Sequence, residues 1–338
     1  MSTTGFPRHA DPSRLRVGGC RRYRTLMRFR TGVLLLALAA SACGGETAPS
    51  RTPVTTPGLP TSYTGPDGVT SAVTDVSRIV SLSGDYSEII SALGLGENLV
   101  GVDLSSVYPK EEMRAKPKIG VEFRLLAEPI LVLEPTVAIG DVDASPTAVV
   151  EQVRGAGVPV VIFPRFEGLT GPGEKIRAAA AVLGLAEAGE ALAKQVEGEI
   201  AAAIALAQTT TSRPRVAVVY VATSDTILLL AGNTVFSGVI DALGAIDVGP
   251  DAGVDGFIPL TAEAIVAAAP EYIITAERGF EGLGGLEGFL ALPGIAQTPA
   301  GAAGRVLVYE DLFLLGLGPR TGQLAAQLVR DLHPELAE

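Results

Sequence analysis

The ligand chemistry this chain can offer sits on a few side chains at the ends of strand-like runs. Tyr86, Tyr108, Tyr220 and Asp85 fall where apolar segments stop, and in a parallel sheet ligands bind beyond the carboxyl ends of the strands. Arg124, Arg165, Arg278 and Arg320 lie in expected loops or at element ends. Any one of them alone reads as a solvated charge; as a set facing a cleft they could hold carboxylates by bidentate hydrogen bonds that a lysine could not match. Two glutamates form a separate pair. Glu128 and Glu263 each open an apolar turn in a pattern written twice, A-E-P-I-L-V-L-E-P-T from Ala127 and A-E-A-I-V-A-A-A-P-E from Ala262. Pro135 or Pro270 stands seven residues later, and a strand-like run follows. Each glutamate can be read as a helix-start acid favoured by the dipole, worth about 0.3–1 kcal/mol. As a pair in repeat register, they read as equivalent contacts offered by two similar lobes to a partner.

Catalytic chemistry has little to stand on. After residue 42 the only histidine is His333, which leaves no serine–histidine–acid triad and no histidine-rich zinc site. No G-x-S-x-G elbow and no P-loop occur, Gly94-Leu95-Gly96 ends a helix instead of following a strand, and Gly282 to Gly288 lacks the dinucleotide spacing. The chain is expected not to be an enzyme.

The N-terminal residues spell an export address. Met27 to Arg30 is basic, Val33 to Ala40 is apolar, and A-S-A-C ends at Cys43. That apolar core is far shorter than the roughly 20 residues needed to span a bilayer. Residues 1–42 are expected to be a signal peptide of the lipoprotein kind with translation starting at Met27 and Cys43 as the lipid-modified residue; an ordinary signal peptide cleaved at a small residue is the alternative. Removing 1–42 takes away eight arginines and one aspartate, leaving 18 basic and 36 acidic groups, a net charge of −18. No nucleic-acid partner is expected of such a surface, and with Cys43 the sole remaining cysteine no intrachain disulfide can form.

Residues 43–77 are rich in Thr, Pro, Ser and Gly and read as a disordered tether. Beyond it, apolar runs such as R-I-V-S-L and N-L-V-G-V alternate with helical stretches, the signature of a mostly parallel sheet covered on both faces. The spacing predicts an α/β chain of two Rossmann-like lobes, 78–168 and 211–338. Residues 169–210, rich in Ala, Glu, Lys and Leu, read as one long connecting helix broken at Gly184, or else as a surface helix of the first lobe. In the second lobe R-V-A-V-V-Y-V restarts the scheme, and Gly238 to Gly244 echoes Glu88 to Gly94. Two echoes in the same order point to a duplication.

R-I-V-S-L-S-G-D-Y-S-E-I-I-S-A-L-G, the Tyr108-Pro109 loop, both glutamate copies, A-L-P-G-I-A-Q-T-P-A-G and L-G-P-R-T together resemble the cluster A-II (class III) substrate-binding lipoproteins of ABC importers, and within them the haemin-binding branch. The resemblance covers about Arg78 to Leu332. It implies two lobes bridged by a long helix, a ligand cleft between them, and docking of Glu128 and Glu263 onto arginines of the permease. It further implies a monomer, lipid-anchored at the outer face of the cell membrane, that hands a small-molecule ligand to permease and ATPase subunits. Haem is the expected cargo, with a ferric siderophore or cobalamin as alternatives, and no intrinsic cofactor. In haemin-binding members an axial histidine or tyrosine often follows the glycine before the first glutamate motif; here Val121 follows Gly120. Others use a tyrosine at the end of the second lobe's first strand with an arginine two residues on; here Tyr220 is followed by Ala222. A phenolate is a hard donor suited to ferric iron, so Tyr220 either carries a five-coordinate haem or packs under the cleft, and Tyr86 stands as a substitute from the other lobe.

Overall fold

The computed structural model describes residues 56–231, 235–250 and 256–337. Residues 1–55, with the expected signal peptide, the Met27 start and Cys43, lie outside them.

In the first lobe β3 (Ile79–Ser81), β4 (Leu99–Val102), β7 (Val137–Asp141) and β8 (Val160–Phe163) form a parallel sheet in the order β4-β3-β7-β8. Successive side chains of these strands face opposite sides. Ile79, Ile139 and Val161 enter one core with α1 (Gly84–Ala92), α5 (Gly171–Val182) and part of α6 (Ala186–Ala207). Val80, Ala138, Val160 and Ile162 enter another with α3 (Ala127–Leu131) and α4 (Thr147–Gly155). Both faces are covered, which is why the strands are apolar throughout. The short helix α2 (Lys110–Ala115) and the two-residue strands β5 (Gly120–Val121) and β6 (Arg124–Leu125) complete the lobe.

The tether is shorter than its composition suggested. β1 (Thr61–Thr64) and β2 (Thr70–Val73) pair as an antiparallel hairpin. Val73 and Val76 are fully buried, Tyr63 packs on Phe163 with ring centroids 4.7 Å apart, and Ser71 Oγ donates to the Val160 carbonyl at 2.8 Å. Residues 56–77 thus belong to the lobe, because alternation of small polar residues with Tyr63 and Val73 gives the hairpin one face to bury.

The second lobe holds β9 (Arg215–Thr223), β10 (Thr226–Ala231), β11 (Ile246–Asp247), β12 (Gly256–Pro259), β13 (Tyr272–Ala276) and β14 (Val306–Tyr309). Their order is β12-β10-β9-β13-β14, with β11 beside β9. β9, β13, β14 and β11 run parallel, but β10 and β12 are antiparallel additions. The sheet is thus mostly parallel, as expected, with two antiparallel strands added at one edge, where Ser224-Asp225 after β9 makes a tight turn instead of a crossover. Around it lie α7 (Val235–Ala242), α8 (Ala262–Ala268), α9 (Glu277–Gly282), α10 (Leu286–Leu290), α11 (Pro299–Ala303), α12 (Asp311–Leu315) and α13 (Thr321–Leu332).

The expected connector is two helices. Gly184, at φ +74, ends α5 before α6 begins, in a backbone region that glycine enters without cost. α5 buries Ile176, Ala179 and Val182 in the first lobe alone, whereas α6 places Ala193, Val196 and Ile200 in that core and Ala203 and Ala207 in the second lobe's. One helix thus shares both cores. The duplication extends to backbone detail: the residue before each repeat proline, Glu134 and Ala269, has φ +45, and α1 and α7 run into Gly94 and Gly244 at φ +82 and +77. No helix among the described residues is long and apolar enough to cross a membrane.

Candidate functional site

The loops that leave β3, β4, β7 and β8 in one lobe, and β9, β13 and β14 in the other, face a cavity of about 720 Å³. Every contributing strand points its carboxyl end at it, as ligand sites in open α/β sheets require, and the volume suits a small-molecule site. The second lobe supplies Tyr220 to Ser224 from the end of β9, Arg278 and Gly279 after β13, and Leu315 to Leu317 after β14.

Of the eight candidate ligand residues the structure brings four to this cavity: Asp85, Arg165, Tyr220 and Arg278. Arg165 hydrogen-bonds Asp143, and Arg278 stands 3.7 Å from Asp311. Their side chains are 61% and 65% exposed, so these pairs are solvated and worth about 0–1 kcal/mol; either arginine can be recruited by a ligand. Asp85 is different. It is buried, accepts from Ser83 Oγ, and pairs with Lys175 at 2.5 Å, while Lys175 also donates to the Gly316 carbonyl of the other lobe at 3.1 Å.

The other four are elsewhere. Tyr86 is fully buried, stacked on Phe163 with centroids 5.3 Å apart. Burial, then the charges of Asp85, Asp141 and Glu122, push its phenol far up, so it offers neither access nor a phenolate. The helical turn that starts at Gly84 rotates Tyr86 inward. Tyr108 lies under the Arg320 guanidinium, 3.8 Å from its ring centroid. Arg320 is itself committed, giving two hydrogen bonds to Glu88 at 3.0 and 2.9 Å. Arg124 is exposed on β6, outside the cavity. Glu128 and Glu263 are exposed in the first turns of α3 and α8.

The first lobe's wall holds a group of acids that sequence reasoning missed. Asp103, Glu122, Asp141 and Asp143 line the cavity with Asp85. Asp103 is buried and accepts from Ser106 Oγ at 2.7 Å and from the Ser105 and Ser106 amides. Burial pushes the carboxyls of Glu122 and Asp141 up, and the neighbouring carboxylates push them further; the Asp143 amide and Lys175 oppose this at Asp141. Crowded acids of this kind cannot all ionise together. Asp103 and Asp141 directly end the runs L-V-G-V and V-A-I-G, so the strand-end rule, applied to every strand, would have found them. Glu122 sits in the β5–β6 turn and carries no such signal. Among the described residues no group of three or more His, Cys, Asp or Glu side chains is placed to hold a metal ion.

The family model described as periplasmic binding protein matches residues 79–311. The chain belongs to the periplasmic binding protein family. This binding protein is 45% identical to the periplasmic heme-binding protein RhuT from Roseiflexus sp. RS-1 in its apo form, over 78% of this chain and 99% of that one, with a TM-score of 0.74. It is 34% identical to the heme binding protein HmuT, over 83% of this chain and 93% of that one, with a TM-score of 0.76. Among curated proteins it resembles the ABC transporter substrate-binding lipoprotein YvrC of Bacillus subtilis (strain 168), 25% identical over 204 residues, 59% of this chain. That match spans 63% of the relative's own length.

Proposed function

We propose that this binding protein is the extracytoplasmic receptor of an ABC importer, that it captures haem between its lobes, and that it hands it to the permease. What supports the reading is a single conjunction: Tyr220 ends β9 on the wall of the cavity, in a chain 45% identical to a heme-binding protein along almost that protein's whole length. In the mechanism, the macrocycle is held by apolar burial against Phe123, Phe166, Leu283 and Leu315, with Tyr220 oxygen offered to ferric iron. Gly120 is followed by Val121, whose side chain has no donor, so at that position the first lobe would offer the iron no ligand and Tyr220 would be the residue to hold it. Both glutamate-bearing helix starts, Glu128 and Glu263, then meet arginines of the permease, and ATP hydrolysis in the transporter drives release. Lipid attachment at Cys43 holds the receptor at the outer face of the membrane. It works as a monomer and carries out no catalysis.

The test is a haemin titration followed by visible absorption on wild type and Tyr220→Phe. Wild type is expected to saturate and to show the charge-transfer band of a phenolate-bound ferric haem; Tyr220→Phe is expected to lose that band and to bind at least about tenfold more weakly, a change of roughly 1.4 kcal/mol. An unchanged spectrum in the variant removes Tyr220 from the iron, and no saturation in either removes haem as the cargo.

A further inference from the structure

The cavity is electrically lopsided. Among the described residues, seven acidic side chains line it against three basic ones. Of those three, Lys175 is buried and held by Asp85 and the Gly316 carbonyl, so it has no charge to spare. The two that remain, Arg165 and Arg278, are the exposed ones, one on each lobe. Asp85, Asp103 and Asp141 are each at most 8% exposed and with the half-buried Glu122 form a carboxyl floor, while both recruitable cations stand at the exposed rim among Asp143, Glu167 and Asp311. Among the described residues, Oε1 of Glu122 and the hydroxyl of Tyr86, which stands close enough to feel the charges of Asp85, Asp141 and Glu122, are buried without a hydrogen-bond partner. The floor is a cluster of carboxyls that burial and mutual repulsion already keep from all ionising together, and another carboxylate placed there would add to that repulsion in a poorly solvated site.

We propose that a dicarboxylate macrocycle enters this cleft with its carboxylates outward, between Arg165 and Arg278, and that the carboxyl floor of Asp85, Asp103, Glu122 and Asp141 enforces that direction. The inference rests on the cleft being a haem site, and adds to it which edge of the ligand faces the protein. Glu122 and Asp141 then act by exclusion and the two arginines by attraction, and specificity uses both. Binding trades the weak Asp143 and Asp311 pairs of the arginines for charge-assisted contacts to the ligand.

The experiment titrates haemin, and the haemin derivative with both carboxylates converted to carboxamides, into wild type, Arg165→Gln/Arg278→Gln and Glu122→Gln/Asp141→Asn. The rim variant is expected to bind haemin about tenfold more weakly while its affinity for the bis-carboxamide stays within about twofold. The floor variant keeps or improves its haemin affinity. Haemin binding that ignores the rim variant overturns the proposal. So does loss of haemin affinity in the floor variant, which would put the ligand's carboxylates against Glu122 as a hydrogen-bond donor. Failure of both ligands to bind wild type would instead overturn the haem reading of the cleft, and this inference with it.

Discussion

Arg320→Ala is expected to destabilise the fold by about 3–5 kcal/mol, because it strands a carboxylate where water cannot reach it. Glu88 on α1 and Arg320 at the start of α13 are 4% and 13% exposed, joined by two hydrogen bonds across the lobes, and Arg320 also approaches Glu310 at 3.3 Å. The guanidinium also lies over the rings of Tyr108 and Phe313, at 3.8 and 5.1 Å from their centroids. Burial pushes the Glu88 carboxyl up, and the hydrogen bonds from Arg320 hold it down. Without the arginine only the penalty remains. Thermal unfolding by circular dichroism should show a midpoint lowered by roughly 10 °C, and Glu88→Gln/Arg320→Met should recover most of that loss, since a neutral, packed pair leaves no buried charge. A drop below about 1 kcal/mol for Arg320→Ala would show the pair to be as dispensable as a surface one. The folded variant should still bind haemin, as Arg320 does not line the cavity.

The second large effect is functional. Glu128→Arg combined with Glu263→Arg is expected to abolish ligand uptake by cells carrying the permease while leaving haemin affinity within about twofold. Both side chains are exposed at helix starts and neither is among the residues that line the cavity. Reversing their charge costs only the dipole interaction, about 0.3–1 kcal/mol at each site, so the chain should stay folded. Loss of haemin binding by the purified variant would mean these residues shape the pocket instead of meeting a partner.

The repeat was legible because it is written in residue types with fixed consequences. A glutamate that starts a helix and a proline that cannot continue one recur at the same interval, and the backbone repeats with them, down to φ +45 at Glu134 and Ala269. The hairpin at 61–73 was hidden by its Thr and Ser content; what orders it is the core it covers, through Val73 and the Tyr63–Phe163 contact. Likewise the β9–β10 turn is too short to betray that the chain doubles back. In the site, strand-end logic brought out Asp85 and Tyr220, since each needs only its own strand, while Arg165 and Arg278 were legible as arginines in expected loops or at element ends. Arg320 was misplaced for the opposite reason: its partner Glu88 is 232 residues away, and no local pattern records such a pairing. Of the carboxyl floor, Asp103 and Asp141 stand at the ends of their own strands and were open to the strand-end rule, whereas Glu122 comes from the β5–β6 turn and carries no local signal.

The claim on which the account depends is that one ligand touches both lobes at once. Hydrogen exchange of the wild-type protein, with and without saturating haemin, tests it most directly. The account predicts slowed exchange in two segments together, residues 120–125 of the first lobe and residues 220–224 of the second, with α3 and α8 little changed. Protection confined to one lobe, or appearing only away from the cavity, would contradict it.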